Sequence, residues 1–339
     1  SPGQVRYIPT EPTRRDAPPE KRQRGTHVID ASEPADPQVL ANIDAEGQLL
    51  QTGDRLLVFG HDRITAYDVS DPANPTEAWS HPLEDRLVTA RERNGTIYLV
   101  TRSPVHGTPC PVEPLGPAAA VPCTDIYHPR STVPVDSTFS AFAIDAASGD
   151  VRDRVSFVGS GHNSVVYMST DGLYVTYTTE NDRTDVLADF LLSEFDRTPA
   201  SVESRIREIQ SYDLSPRAAR IEISRALQSW LQSLDDAERN AVTADLREAF
   251  PAYLADRQRD LARTGIVRVA VDGDDLRVGE TATVPGRPLN QFSLSQHEGT
   301  LRVATTIPAA GDAESVSDLY VLDATSLSRL GSETGMGEG

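Results

Sequence analysis

Lysine is almost missing. Lys21 is the only one in 339 residues, and the rest of the 32 basic side chains are arginine. Acidic residues number 51, giving a formal net charge of −19. A surface of this sign argues against nucleic acid as a partner, because phosphate binding needs a basic patch. It suits a protein kept soluble in molar salt, where charge repulsion is screened within about 3 Å. A halophilic source is therefore expected; an arginine-rich codon bias with ordinary acidity would give the same counts. No apolar run approaches the roughly 18 residues of a membrane-spanning helix, so no transmembrane segment is expected. The seven histidines are scattered, with no His-x-x-x-His pair. That spacing disfavours a zinc centre. Gly159-Ser160-Gly161-His162-Asn163-Ser164 is not Gly-x-Ser-x-Gly, and small residues at a turn account for it better than a nucleophile. No catalytic residue is assigned.

Cysteine is nearly as scarce. Cys110 and Cys123 flank a loop rich in Pro and Ala. A local disulfide would suit an oxidising compartment, and two free thiols remain the alternative. The start, Ser1-Pro2-Gly3, has neither an initiator Met nor the pattern of a signal peptide, which predicts a processed or excised fragment.

What the chain has is repetition. Tyr67-Asp68-Val69-Ser70-Asp71-Pro72-Ala73-Asn74-Pro75 has a near copy in Ile29-Asp30-Ala31-Ser32-Glu33-Pro34-Ala35-Asp36-Pro37. Each is an apolar strand ending in Asp, followed by a polar turn with two prolines. Short alternating strands recur around hairpin signals at Gly53-Asp54, Asn94-Gly95, Asp171-Gly172 and Glu298-Gly299. A period near forty residues with about four short strands each reads as blades, so the fold class is mainly β: a β-propeller of four-stranded antiparallel blades. The units run Thr26 to Gly60, Asp62 to Arg102, Thr138 to Thr179 and from Gly265, with a partial fifth at Leu319. A strand is expected at Leu289–Ser295.

Two regions depart from this pattern. Residues 1–25 are polar and Pro-rich, with a basic cluster at Lys21, Arg22 and Arg24, and read as a disordered arm. Residues 181–264 carry apolar positions at steps of three and four, such as Ala219, Ile223, Leu227, Trp230 and Leu234. Ser215-Pro216 is a helix start. This is an α-helical insertion, expected between two blades. Blade segments then occupy 26–180, with an irregular Pro- and Cys-containing loop at 103–135, and resume over 265–339. Four units and a fraction do not close a ring, which predicts further blades beyond residue 339.

Three stretches carry a family resemblance: Thr264-Gly265-Ile266, Val284 through Ser293 (Val-Pro-Gly-Arg-Pro-Leu-Asn-Gln-Phe-Ser), and Gly299 through Thr306. With Tyr67–Pro72, Ile97–Thr101 and the Cys110 and Cys123 segments, the chain resembles the secreted bacterial and archaeal proteins with a C-terminal β-propeller domain, in a haloarchaeal form. The resemblance implies an extracellular or cell-surface location and supplies no reaction. The family's upstream Asn-Val-Gln segment and its later blades are missing here.

Candidate sites follow from residue type. Arg287, Asn290, Gln291 and Arg302 surround the most distinctive strand pair and could bind a ligand at the ring face, or pin one blade to the next. Asp272, Asp274 and Asp275 beside Gly273 offer carboxylates and turn carbonyls of the kind calcium takes; hairpin geometry alone also favours these residues. No other cofactor is implied. The functional expectation is a non-catalytic binding or scaffold protein recognising a protein or cell-surface glycan through its inserted loops and helices. The alternative is a propeller hydrolase or lyase with its site at the channel mouth.

Overall fold

The computed structural model describes residues 25–105, 110–128, 136–161, 164–169, 172–181, 183–212 and 214–338. Residues 1–24 of the expected arm, the turn residue Asp171 and the His162-Asn163 pair lie outside them. The chain divides into two compact units, Ser1–Ser80 and His81–Gly339.

In the first unit, β1 (Thr26–Asp30) and β2 (Gln38–Ile43) form a two-stranded sheet. A four-stranded sheet I follows, from β3 (Gln48–Thr52), β4 (Arg55–Phe59), β5 (Arg63–Asp68) and β6 (Thr76–Pro82), paired in chain order. Its central strands bury Leu57, Val58, Ile64 and Ala66.

The second unit begins with sheet II. It orders β7 (Arg86–Arg93), β8 (Thr96–Pro104), β10 (Ser137–Asp145) and β11 (Val151–Gly159), with the short β9 (Ile126–Tyr127) parallel to β11 at the edge. Sheet III is β12 (Val165–Met168), β13 (Gly172–Glu180), β14 (Ala262–Asp272) and β15 (Asp275–Pro285). Sheet IV is β16 (Leu294–His297), β17 (Thr300–Ile307), β18 (Val316–Asp323) and β19 (Arg329–Glu338). The pairs within the four-strand runs of sheets II, III and IV, and β3–β4 and β4–β5 of sheet I, are antiparallel. Asn94 adopts φ 54° and Gly95 φ 80°, the positive pair that the Asn-Gly turn requires.

Sheets II, III and IV pack face to face. Phe139, Phe157, Val175 and Val267 belong to one buried cluster between II and III. Tyr174, Ile266, Val303 and Tyr320 belong to another between III and IV. The Tyr174 hydroxyl lies 2.9 Å from Gln296 Oε1 and 2.8 Å from Ala324 O, tying sheet III to sheet IV. Gly265 is required where it stands: a Cβ there would meet the Tyr177 ring at 2.4 Å.

The strand grouping differs from the sequence reading by half a unit. The sequence repeat starts at what are the third strands of the sheets and so joins β1–β4 as one unit, whereas β3 to β6 form a sheet. Hairpin chemistry marks a pair of strands but not which pair begins a sheet. Of the residues expected as a strand at 289–295, Leu294 and Ser295 open β16, while Gln291–Ser293 form a 3-10 turn, because Asn290 and Ser293 form a reciprocal capping box.

The helices also sit elsewhere than expected. They interrupt sheet III, between β13 and β14, and do not lie between two sheets. These strands pair from Gly172 opposite Ala270 to Glu180 opposite Ala262, so the insertion replaces the hairpin turn that would join them. It comprises α1 (Arg183–Ser193), α2 (Ala200–Ser211), α3 (Pro216–Ser233), α4 (Asp236–Asp256) and α5 (Gln258–Leu261). Ser215 and Asp235 cap α3 and α4 by accepting from Ala218 N and Glu238 N. Phe190, Ile206, Ile223 and Trp230 build a core of their own, which Ala310 of sheet IV's connecting loop joins.

Candidate functional site

The insertion is fastened to sheet IV. Gln258 Nε2 donates to Pro308 O at 2.9 Å and Glu314 O at 2.6 Å. Gly311 adopts φ +56°, and a Cβ there would meet Pro251 O at 1.9 Å. Arg259 grips Asp318 through two bonds, Nε to Oδ2 at 2.8 Å and Nη2 to Oδ1 at 3.0 Å. Asp318 is wholly buried and also accepts from Tyr320 and Gly335 N, each at 2.8 Å. Burial pushes its carboxyl up, but Arg259, Gly335 and Tyr320 outweigh this and hold it below the ordinary carboxylate value. Burial and the Asp318 charge push the Tyr320 phenol up. This is an architectural clasp.

The Asp-rich turn is a second clasp. Asp274 Oδ1 accepts from Thr96 Oγ1 at 2.7 Å, and its Oδ2 from Arg152 Nη1 at 2.8 Å. Tyr98 donates to Gly273 O at 2.7 Å. The turn after β14 is thereby bound to sheet II, and the Asp274 carboxylate is occupied by protein donors. Among the described residues no group of three or more His, Cys, Asp or Glu is arranged to hold a metal. Asp272 and Asp275 remain at the same turn, at the ends of β14 and β15. Cys110 and Cys123 are joined by a disulfide, with their Cα atoms 5.3 Å apart.

A concave site lies where β7, β12 and β16 end. These are the first strands of sheets II, III and IV, and each contributes its last residues to a cavity of about 570 Å³. Arg91, Glu92 and Arg93 come from β7, Tyr167 and Met168 from β12 with Ser169 just beyond it, and Gln296, His297 and Glu298 from β16 and its turn. Most of these groups are engaged. Glu92 accepts from Gly95 N at 2.8 Å, Tyr167 accepts from Gln296 N at 2.9 Å, and His297 Nε2 stands 3.6 Å from Glu298 Oε1. Arg91 donates to Ala90 O at 2.8 Å and to Gln291 Oε1. The Arg93 side chain forms no hydrogen bond or ion pair among the described residues. In a chain of net charge −19 this wall is locally balanced in charge.

Gln291 links the cavity to the loop that the sequence reading singled out. Arg287 pairs with Glu180, and its backbone exchanges two hydrogen bonds with Thr306, at 3.0 and 2.9 Å. Asn290 accepts from Phe292 N at 2.9 Å, and Ser293 Oγ accepts from Leu289 N at 3.1 Å. Asn290 and Ser293 are thus spent holding the shape of this segment. What it presents is Leu289, 83% exposed, and Phe292, 85% exposed. Arg302 is not part of this group: it lies on the solvent side of β17, opposite Ser295 and Val321. The sequence reading missed Leu289 and Phe292 because it made them strand residues; the Asn-x-x-Ser spacing was the signal of a turn.

Other features carry less. A cavity of about 310 Å³ in the first unit is lined by Asp44, Glu46, Asp62, Arg63, Tyr67 and Glu77 among others. Asp85 accepts from Ser103, and burial pushes its carboxyl up despite that bond. Asp85, Asp318 and Tyr320 do not line the 570 Å³ cavity.

Comparison with known proteins fits this architecture. The model of the family described as "Beta propeller domain" matches residues 5–339. The chain belongs to that family. It is similar to an uncharacterized protein of Archaeoglobus fulgidus, 34% identical over 302 residues, covering 88% of this chain and 47% of the relative. It is also similar to an uncharacterized protein of Methanocaldococcus jannaschii, 29% identical over 328 residues, covering 94% of this chain and 51% of that one. The chain thus spans about half the length of these curated relatives. Among solved structures, the N-terminal domain of Nup159 aligns over 85% of this chain and 47% of its own, with 8% identity and a TM-score of 0.32. A Synechocystis apocarotenoid oxygenase aligns over 87% and 49%, with 9% identity and a TM-score of 0.33. No helix among the described residues is long and apolar enough to cross a membrane.

Proposed function

We propose that the protein is a non-catalytic recognition protein built of four-stranded propeller blades, acting outside the cell or on its surface in a halophilic organism. Its partner is a protein, held at the loop of residues 287–293 and the adjoining cavity. One observation carries this reading. A segment whose turn is held by Asn290 and Ser293, and whose Arg287 and Gln291 are engaged by Glu180 and Arg91, presents two large apolar side chains, Leu289 and Phe292, to water. Rigid exposed aromatics beside an arginine are the residue types that dominate protein interfaces. Phe292 would enter an apolar pocket of the partner, and the unengaged Arg93 would meet a carboxylate. A glycan fits less well, since most hydrogen-bonding groups of the cavity already have protein partners.

The test is site-specific photocrosslinking in molar salt, with the crosslinker at position 292 and, as a control, at the exposed Tyr212 of the insertion. A discrete crosslinked protein from position 292 alone, lost with Leu289→Ala and weakened roughly tenfold by Arg93→Ala, is expected. Crosslinking that is equal at both positions, or a saturable thermal shift with oligosaccharides in place of any crosslinked protein, would overturn the reading.

A further inference from the structure

The first unit holds carboxylates of two kinds. Asp68 is engaged: it accepts from Arg55 Nη1 at 2.6 Å and from Ser70 N at 2.9 Å. Asp44, Glu46, Asp62 and Glu77 are not, since none of their carboxylates forms a hydrogen bond or ion pair among the described residues. All four are exposed around the 310 Å³ cavity. They reach it from three places: the link between β2 and β3, the turn between β4 and β5, and β6. Backbone bonds hold the first two in place. Thr26 Oγ1 donates to Ala45 O at 2.8 Å, and Gly60 N donates to Arg63 O at 2.9 Å.

Below the carboxylates lie Val58, Thr65 and Tyr67. Val58 of β4 and Thr65 of β5 are cross-strand partners and both are buried. Thr65 is only 4% exposed, yet its hydroxyl forms no hydrogen bond among the described residues. A buried hydroxyl is costly unless solvent or a ligand supplies its partner. Tyr67 follows on the same face of β5. Burial pushes its phenol up, and the Glu77 and Asp44 charges push it further, against Arg63. An aromatic ring in the field of two carboxylates attracts a cation on both counts.

Arg63 is the one arginine opposing the four carboxylates, beside His61. Like charges gathered in a hollow focus a negative potential. Among the described residues no three such groups converge as metal ligands do, so the charge is spread around a space and not aimed at a point. The volume lies at the small end of small-molecule sites, which run from about 300 to 1,000 Å³. We infer that this cavity binds an aliphatic polyamine, a methylene chain carrying several protonated nitrogens. Its ammonium groups donate to the free carboxylates and to the Thr65 hydroxyl. Its methylenes lie against Val58 and the Tyr67 ring. The site shares no residue with the loop of residues 287–293 or with the 570 Å³ cavity.

Isothermal titration of this chain with spermidine, at fixed ionic strength, tests the assignment. Saturable one-site binding is expected, weakened about tenfold by Glu77→Gln or Asp44→Asn, as the loss of a charge-assisted hydrogen bond requires. Thr65→Val should also weaken it. Asp236→Asn, a control on α4 whose side chain is 91% exposed, should leave it unchanged. Tetramethylammonium, which has no N–H to donate, should not displace spermidine. The four carboxylates are exposed, so their variants should melt with the wild type, and a melting curve checks this. Absence of saturable binding would overturn the assignment. Equal weakening by Asp236→Asn, or displacement by magnesium at the same ionic strength, would do so too, because the acidic surface would then be gathering cations without a site.

Discussion

Sheets III and IV are built from similar strands but are buried differently. In β13 the run Leu173, Tyr174, Val175 and Thr176 is at most 1% exposed, residue after residue. In β17 burial alternates: Leu301 and Val303 are fully buried, while Arg302 and Ala304 are exposed. Sheet III has sheet II on one face and sheet IV on the other. Sheet IV has sheet III on one face. The number of covered faces sets the period of burial, one residue when both are covered and two when one is. It also sets what a substitution costs.

The largest expected effect is therefore in sheet III. Tyr174→Ala removes a side chain 1% exposed, its stacking on Tyr167 at 6.1 Å, and the hydroxyl shared with Gln296 and Ala324. A loss of about 3–5 kcal/mol is expected from denaturant unfolding, the range for large-to-small changes in cores. A loss under about 1 kcal/mol would mean that sheets III and IV are not held together as described.

Next is the clasp that ties the insertion to sheet IV. Arg259→Ala leaves the buried Asp318 charge with Tyr320 and Gly335 alone. Breaking a buried pair costs about 3–5 kcal/mol. The Arg259 side chain keeps 41% of its surface, so about 2–3 kcal/mol is expected once solvent screening is allowed for. The clasp also has a pH signature. Because the folded Asp318 carboxyl lies below its ordinary value of 3.8, its contribution is present above that pH and is lost as pH falls through the lowered folded value. In Arg259→Ala this acid-side loss should shrink, which unfolding between about pH 5 and pH 2 would measure.

A smaller effect is expected between sheets II and III. Asp274→Ala frees Thr96 and Arg152, and since Asp274 and Arg152 are 37% and 46% exposed, about 1 kcal/mol is expected. Adding calcium at constant ionic strength should leave the wild-type melting temperature unchanged. A saturable rise that disappears in Asp274→Ala would support the metal reading of this turn.

Much of this architecture was legible in sequence because it is local. Hairpin signals such as Asn94-Gly95 and Glu298-Gly299 locate strand pairs through backbone geometry alone, and Ser215-Pro216 marks a helix start for the same reason. The phase of the sheets was not legible, since grouping β3 with β6 depends on which strands meet across space. The insertion inside sheet III was hidden likewise: β13 and β14 pair across some eighty intervening residues that give no sign of it. At the candidate site, residue type pointed to the right segment and the wrong atoms. Arg287, Asn290 and Gln291 were visible as polar groups, but the commitment of Arg287 to Glu180 and of Gln291 to Arg91 is tertiary, while the Asn290 bond to Phe292 N is the local turn that the Asn-x-x-Ser spacing signals.

The smallest expected effect is the sharpest test of the comparison between sheets. Arg302→Glu reverses a charge in the middle of β17, a position that would be ruinous at Thr176 or Val175 in sheet III. Because the outer face of sheet IV is open here, the change should stay within about 0.5 kcal/mol in denaturant unfolding, as for an ordinary surface site. A cost above about 2 kcal/mol would show that this face is covered in solution, and burial along β17 would then have to be continuous, as it is along β13. Repeating the substitution at the aligned position of a longer relative separates the two cases, for a neighbouring sheet there would bury the same side chain and raise its cost.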